Sequence, residues 1–132
     1  MSSEENQIGE FCWNRLMTSN IDESSKFYCE LFGWGTRNIT VNGLPISVFT
    51  KDNKKVAGLM KIPDELQNTY KPYWLSFIAV ENIHVAVHKA KKMGATMALP
   101  VTSLGIHNGL GAIIFDPLGA PIGLWQESEE IY

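Results

Sequence analysis

Asn20-Ile21-Asp22-Glu23-Ser24-Ser25-Lys26-Phe27-Tyr28-Cys29-Glu30-Leu31-Phe32-Gly33 is the stretch from which the rest of the chain can be framed. Asn20 belongs to the residue types that cap helices, and Glu23 stands three residues on, where a capping box places an acid. Ile21, Ser24, Phe27, Tyr28, Leu31 and Phe32 recur at helical spacing and share one face. Gly33 stops the helix, because glycine adopts the left-handed conformation after a helix end without steric penalty. Before this helix, residues 10–17 read as a strand. After it come three short extended pieces, 34–40, 46–50 and 55–61, separated by turns at Asn42-Gly43 and Asp52-Asn53. The order is β-α-β-β-β.

Residues 63–72, polar and turn-rich between Pro63 and Pro72, form a linker, and the order then repeats. Residues 73–80 are a strand. Asn82 caps a second helix with Ile83, Ala86, Val87, Ala90 and Met93 on its buried face and Gly94 as its stop. Residues 97–102, 110–115 and 121–126 are strands, with turns at His107-Asn108-Gly109 and Asp116-Pro117-Leu118-Gly119. Two matches carry a trace of duplication: Asn20-Ile21 with Asn82-Ile83, and Ala57-Gly58-Leu59-Met60 with Ile122-Gly123-Leu124-Trp125.

The 132 residues, 45% hydrophobic and 19% charged, set the expectation of one globular domain. A net charge of −3 argues against nucleic acid and anionic membrane surfaces as partners. No apolar run approaches the ~18 residues of a membrane span, and the acidic N-terminus is unlike a secretory signal. Two cysteines, Cys12 and Cys29, stand too far apart for a C-x-x-C motif; they read as buried inert thiols of a cytoplasmic protein. His84 and His88, at i and i+4 on the second helix, fall off its apolar face and point to water.

Three local signatures resemble a known family: Phe27-Tyr28-Cys29-Glu30-Leu31-Phe32-Gly33-Trp34, Ala90-Lys91-Lys92-Met93-Gly94-Ala95, and Asp116-Pro117-Leu118-Gly119-Ala120-Pro121-Ile122-Gly123-Leu124-Trp125-Gln126. In order and at module spacing they look like the vicinal oxygen chelate superfamily of glyoxalase I, bleomycin-resistance proteins and extradiol dioxygenases. Within it they resemble the branch of predicted enzymes related to lactoylglutathione lyase. The resemblance implies an α+β fold of two βαβββ modules, 9–62 and 73–127, forming a half-open barrel around a cavity. Residues 1–8 and 128–132 are expected to be flexible ends.

In metal-dependent members of that superfamily, first and last strands of each module supply His, Glu or Gln ligands to a divalent ion, which polarises substrate oxygens. Here the corresponding positions fall on Trp13, Gly58, Leu75 and Gly123, which offer no ligand set. No metal site and no cofactor are therefore expected. With these positions marking the inner face, strand alternation places Phe11, Arg15, Met60, Tyr73, Phe77 and Trp125 beside them. The pocket so drawn is aromatic and apolar, with Arg15 and the Tyr73 hydroxyl as polar handles. The same aromatics also fit a filled core without a site, and Arg15 also fits a side chain that snorkels outward or pairs with an acidic neighbour. His107, in a Gly-rich turn near where the family cavity opens, is a candidate general base or ligand contact.

The expected function is metal-independent binding of a small aromatic or amphiphilic molecule through Trp13, Arg15, Met60, Tyr73, Phe77, His107 and Trp125. The alternative is a lyase, isomerase or dioxygenase-like enzyme of the same fold. A homodimer is expected, because each module exposes strand edges and the chain is rich in aromatics.

Overall fold

Local chemistry fixes both helices in the computed structural model, which describes residues 7–41, 44–103 and 109–127. Helix α1 spans Ile21–Phe32. The Asn20 side chain accepts the Glu23 backbone N–H at 3.0 Å, the forward half of a capping box, and its amide donates to the Glu23 carboxylate at 3.3 Å, while the Asn20 backbone N–H donates to the Thr18 hydroxyl at 3.3 Å. At the other end Gly33 takes φ 72°, and its N–H reaches the Cys29 carbonyl at 2.9 Å. Helix α2 spans Ile83–Lys92, with the Asn82 side chain accepting from the N–H groups of His84 and Val85. Three lysines in its last turn complement the negative end of the helix dipole.

Eight strands and these two α-helices are found among the described residues. Module one holds β1 (Phe11–Thr18), β2 (Gly35–Val41), β3 (Leu44–Lys51) and β4 (Lys54–Lys61), in the order β2-β3-β4-β1. The β1–β4 pair is parallel and the others are antiparallel. Asp52 and Asn53 both have positive φ, the backbone a tight two-residue hairpin needs. The Asn42-Gly43 turn lies outside the described residues. Module two repeats the plan with β5 (Tyr73–Ala79), β6 (Thr96–Ser103), β7 (Leu110–Phe115) and β8 (Pro121–Gln126), in the order β5-β8-β7-β6, with β5 and β8 parallel. The chain is thus an α+β protein of two βαβββ modules.

The turn before β8 is held by Asp116. Its side chain accepts the N–H groups of Leu118 and Ala120, each at 2.9 Å, while the Gly119 N–H meets the Asp116 carbonyl at 2.9 Å. The Ala120 and then the Leu118 N–H groups lower the carboxyl's pKa by bonding its charged form. Asp116 is a turn residue.

Among the described residues the contacts divide the chain into two compact units, one within 13–75 and one of 7–12 with 76–127. In the first, Leu16, Phe49, Ala57 and Leu59 pack under α1 with Ile21, Tyr28, Cys29 and Trp34 against them. In the second, Ala112, Ile114 and Leu124 pack with Ile83 and Val87 of α2.

Both helices bury less than their periodic faces offer. Phe27, Leu31 and Phe32 share a face of α1, yet they are 57%, 58% and 50% exposed. The part of α1 turned to the sheet is Ile21, Tyr28 and Cys29. Tyr28 stacks on Trp34 and accepts the Trp74 indole N–H at 3.1 Å. Met93 lies past the last helical residue of α2 and is exposed rather than buried, so the buried stripe ends earlier. No helix among the described residues is long and apolar enough to cross a membrane.

Candidate functional site

Strand alternation separates two faces of module one. Leu16 on β1 and Ala57 and Leu59 on β4 point to α1. Their neighbours Arg15, Met17, Gly58 and Met60 therefore lie on the face away from the helix. The parallel register sets Arg15 beside Gly58 and Met17 beside Met60, and the antiparallel register brings Val48 beside Gly58 from the other side.

Gly58 is the floor of this arrangement. A Cβ there would stand 3.0 Å from the Trp13 Nε1 and 3.4 Å from the Arg15 Cγ and Nε. Glycine lets the indole edge and the guanidinium stem lie against the backbone, where a Cβ would make tight contacts. The Arg15 Nη1 lies 4.0 Å from the Met60 Sδ, at the outer limit of contact with sulfur. Arg15 is only 5% exposed, so the outward-snorkelling alternative does not hold. Burial pushes its pKa down to about 10, the direction expected when a cation leaves water. Trp13, Arg15 and Met60, three of the residues expected at the site, thus come together.

Module two repeats the geometry with different chemistry. The β5–β8 register sets Phe77 beside Gly123, as β1–β4 sets Arg15 beside Gly58. A Cβ on Gly123 would fall 2.4 to 2.7 Å from the Phe77 ring, which is fully buried. In module two the place of the guanidinium is taken by an aromatic ring packed flush on the backbone. The aromatic-core alternative describes Phe77.

The other expected residues separate. Trp125 is 3% exposed, and Gly109 lies so close to its indole that an added Cβ would overlap the ring. Among the described residues its buried Nε1 meets no hydrogen-bond partner. Spacing along the chain gave no sign of the Gly109 contact beyond the glycine-rich run in which it sits. Tyr73 is partly buried on β5; burial, and then Tyr70 nearby, raise its hydroxyl pKa above the ordinary tyrosine value. Phe11, placed on the inner face by alternation, is corrected: it begins β1 and is 66% exposed. His107 lies outside the described residues.

Histidines 84 and 88 are exposed on α2. Cys12 and Cys29 are both free and partly buried. Burial, and next the charge of Glu127, raise the Cys12 thiol pKa to about 11, so it stays protonated and a poor nucleophile near neutrality.

The superfamily's metal does not fit. At the positions where its ligands would stand, Trp13 presents an N–H donor, Gly58 and Gly123 present no side chain, and Leu75 is a buried hydrocarbon. The space beyond each glycine is occupied by the neighbouring strand's side chains. Among the described residues no three His, Cys, Asp or Glu side chains gather to hold a metal ion.

Comparison with known proteins agrees with this architecture. The family model described as Glyoxalase/Bleomycin resistance protein/Dioxygenase superfamily matches residues 7–124. A curated protein of Mycobacterium tuberculosis, named "Putative glyoxylase CFP32", is 32% identical over 121 residues, covering 90% of this chain and 46% of that protein. This chain therefore spans about half the length of the curated relatives it matches. Hypothetical protein BH1468 from Bacillus halodurans has a similar fold, with a TM-score of 0.66 at 14% identity over 96% of this chain and 99% of that one. Methylmalonyl-CoA epimerase from Mycobacterium tuberculosis gives 0.63 at 12% identity, over 94% and 91%. At such identities the likeness is one of fold alone. The duplicated βαβββ plan and a family match running from the first described residue into the last strand lead to one conclusion: this chain belongs to the glyoxalase/bleomycin resistance protein/dioxygenase superfamily.

Proposed function

We propose that this chain is a small-molecule-binding member of its superfamily that works without the family metal, using the face of module one that carries Trp13, Arg15 and Met60. The observation that carries this reading is the contrast between two equivalent positions. Beside Gly123 the duplicated fold places Phe77, which buries well. Beside Gly58 it places a buried guanidinium and an indole N–H instead. A side chain that stability alone would fill with hydrocarbon carries charge, and such departures concentrate at functional sites. Apolar walls with a few converging polar groups are what small-molecule sites offer.

Arg15 fixes orientation through its donors, Trp13 adds an indole face and a second N–H, and Met60 is an unbranched side chain able to adapt to the guest. The position-by-position substitution of the metal ligands supports a role in binding and sequestration over Lewis-acid chemistry at the family site.

The test is a thermal-shift screen of chelator-treated protein against aromatic and amphiphilic compounds and antibiotics. A ligand present at 100 times its dissociation constant stabilises the fold by about 2.7 kcal/mol, which is easily read. Hits in the presence of chelator are expected. A library-wide absence of shifts, or shifts that require added divalent metal, would overturn the reading.

A further inference from the structure

Helix α1 turns an aromatic patch to solvent. Phe27, Leu31 and Phe32 are each at least half exposed, and Trp74 is 41% exposed. Tyr28 ties them together. The Phe27 and Trp74 rings stand edge-on to it at 5.0 and 5.4 Å, and Phe32 stacks on it at 6.2 Å. Leu31 lies one turn beyond Phe27 on the same side of the helix. At about 200 Å² for a large apolar side chain, these exposures amount to about 400 Å² of contiguous apolar surface, a size that marks interaction sites on soluble proteins. The duplicated fold supplies the control. Counting from the capping residues Asn20 and Asn82, Phe27 corresponds to Lys89 and Phe32 to Gly94, and only Leu31 keeps an apolar counterpart, Met93. The fold itself therefore does not require rings at these positions of α1.

We propose that this patch is the contact between two copies of the chain, with α1 of each packed antiparallel on α1 of the other across a two-fold axis. The inference is independent of the small-molecule reading, because Arg15 and Gly58 lie on the sheet face away from α1. The area fits. A stable interface buries about 800 Å² on each partner, a little over half of it apolar, and the patch supplies about that apolar share. The border fits as well. Glu23 and Glu30 stand four residues before and three after Phe27, with Lys26 beside both, and all three are exposed. Antiparallel pairing sets this mixed border against its own reverse, so that opposite charges can meet, and it opposes the two helix dipoles. A lipid surface fits less well, since Asp22, Glu23 and Glu30 against one Lys26 repel anionic headgroups. A two-fold contact of one patch with itself closes at two copies.

The test is sedimentation equilibrium of the whole chain at micromolar concentrations, where the mass is expected to approach twice 14.8 kDa. Phe27→Lys installs the residue type that module two carries at the matching position, on a side chain already exposed, and it changes both sides of the contact at once. It should weaken dimerisation at least about thirty-fold, as loss of a central interface residue does. Val85→Lys, at an equally exposed position on α2, should leave the dimer intact. Should Phe27→Lys fail to fold by circular dichroism, Leu31→Lys serves in its place, and in the wild type hydrogen exchange of residues 21–32 should quicken on dilution while that of α2 does not. A wild type that stays monomeric overturns the inference, and flotation with phosphatidylcholine vesicles then reads whether lipid covers the patch instead. A dimer whose affinity is unchanged by the folded variant, or an assembly that grows beyond two copies, overturns it equally and places the contact elsewhere on the chain.

Discussion

Replacing Arg15 by methionine should make the ligand-free protein more stable. The guanidinium is almost fully buried, and burial lowers its pKa well below the ordinary arginine value, to about 10. That difference corresponds to about 3 kcal/mol of net cost for holding the charged form inside at pH 7. Methionine has similar length and no charge, and replacing buried ions by apolar residues of similar volume gains about 1–4 kcal/mol in favourable cases. Some packing and hydrogen bonding is lost with the fork, so a gain of about 1–3 kcal/mol is expected, or roughly 3–10 °C in melting temperature for a chain of this size. The sign with pH follows. Below pH 10 both folded and unfolded chains hold the Arg15 proton, and the full cost is present. As pH rises through 10 toward the ordinary arginine range the folded chain releases the proton first, so wild-type stability rises relative to Arg15→Met. Urea denaturation of both proteins at pH 7 and at pH 10.5, followed by circular dichroism, measures this. A loss of 3–5 kcal/mol in Arg15→Met, the signature of a broken buried ion pair, would refute the reasoning.

Three further outcomes are expected. Gly123→Ala should cost about 2–3 kcal/mol, because its Cβ would fall 2.4 Å from a fully buried ring, whereas Gly58→Ala should cost only about 1 kcal/mol, its nearest contact being 3.0 Å; equal losses in chemical denaturation would mean the two modules are packed alike. Asn20→Ala and Asn82→Ala should each lose about 1 kcal/mol in the same assay, since each side chain caps helix N–H groups; no loss would remove the caps from the account of the fold. Cys12, with its thiol raised to about 11, should alkylate slowly with iodoacetamide at pH 8 and accelerate towards pH 11; rapid modification at pH 7, followed by mass spectrometry of the Cys12 peptide, would contradict the assignment.

What was legible in the sequence was what local chemistry decides. Asn20 with Glu23, Asn82, Gly33 and the Asp116 turn each fix an element boundary through bonds to residues within a few positions, and each stands where the pattern puts it. Strand alternation correctly placed Arg15, Gly58 and Met60 on one face, because side-chain direction has period two whatever the fold. Periodicity says which residues share a face, but it does not say what covers that face. Phe27, Leu31 and Phe32 are therefore exposed although they match the helical spacing, and Phe11 is exposed although it alternates with Trp13. Whether Arg15 snorkels out or lies buried depends on side chains distant in sequence, Met60 among them. That the Trp125 Nε1 meets no partner among the described residues was equally invisible, since hydrogen-bond satisfaction is set by tertiary neighbours such as Gly109.

Whether a ligand binds at Arg15 and Trp13 without a metal is read most directly from the indole N–H signals of the four tryptophans in a nitrogen–proton correlation spectrum. The titrant is a compound without an aromatic ring that raises the melting temperature in the thermal-shift screen, so that no ring shifts signals at a distance; the titration is run in chelator, with each signal assigned by a Trp→Phe variant. The Trp13 signal is predicted to move and saturate, while those of Trp34 and Trp74, which lie against Tyr28, stay in place. A stationary Trp13 signal, or movement only after a divalent metal is added, would contradict the account.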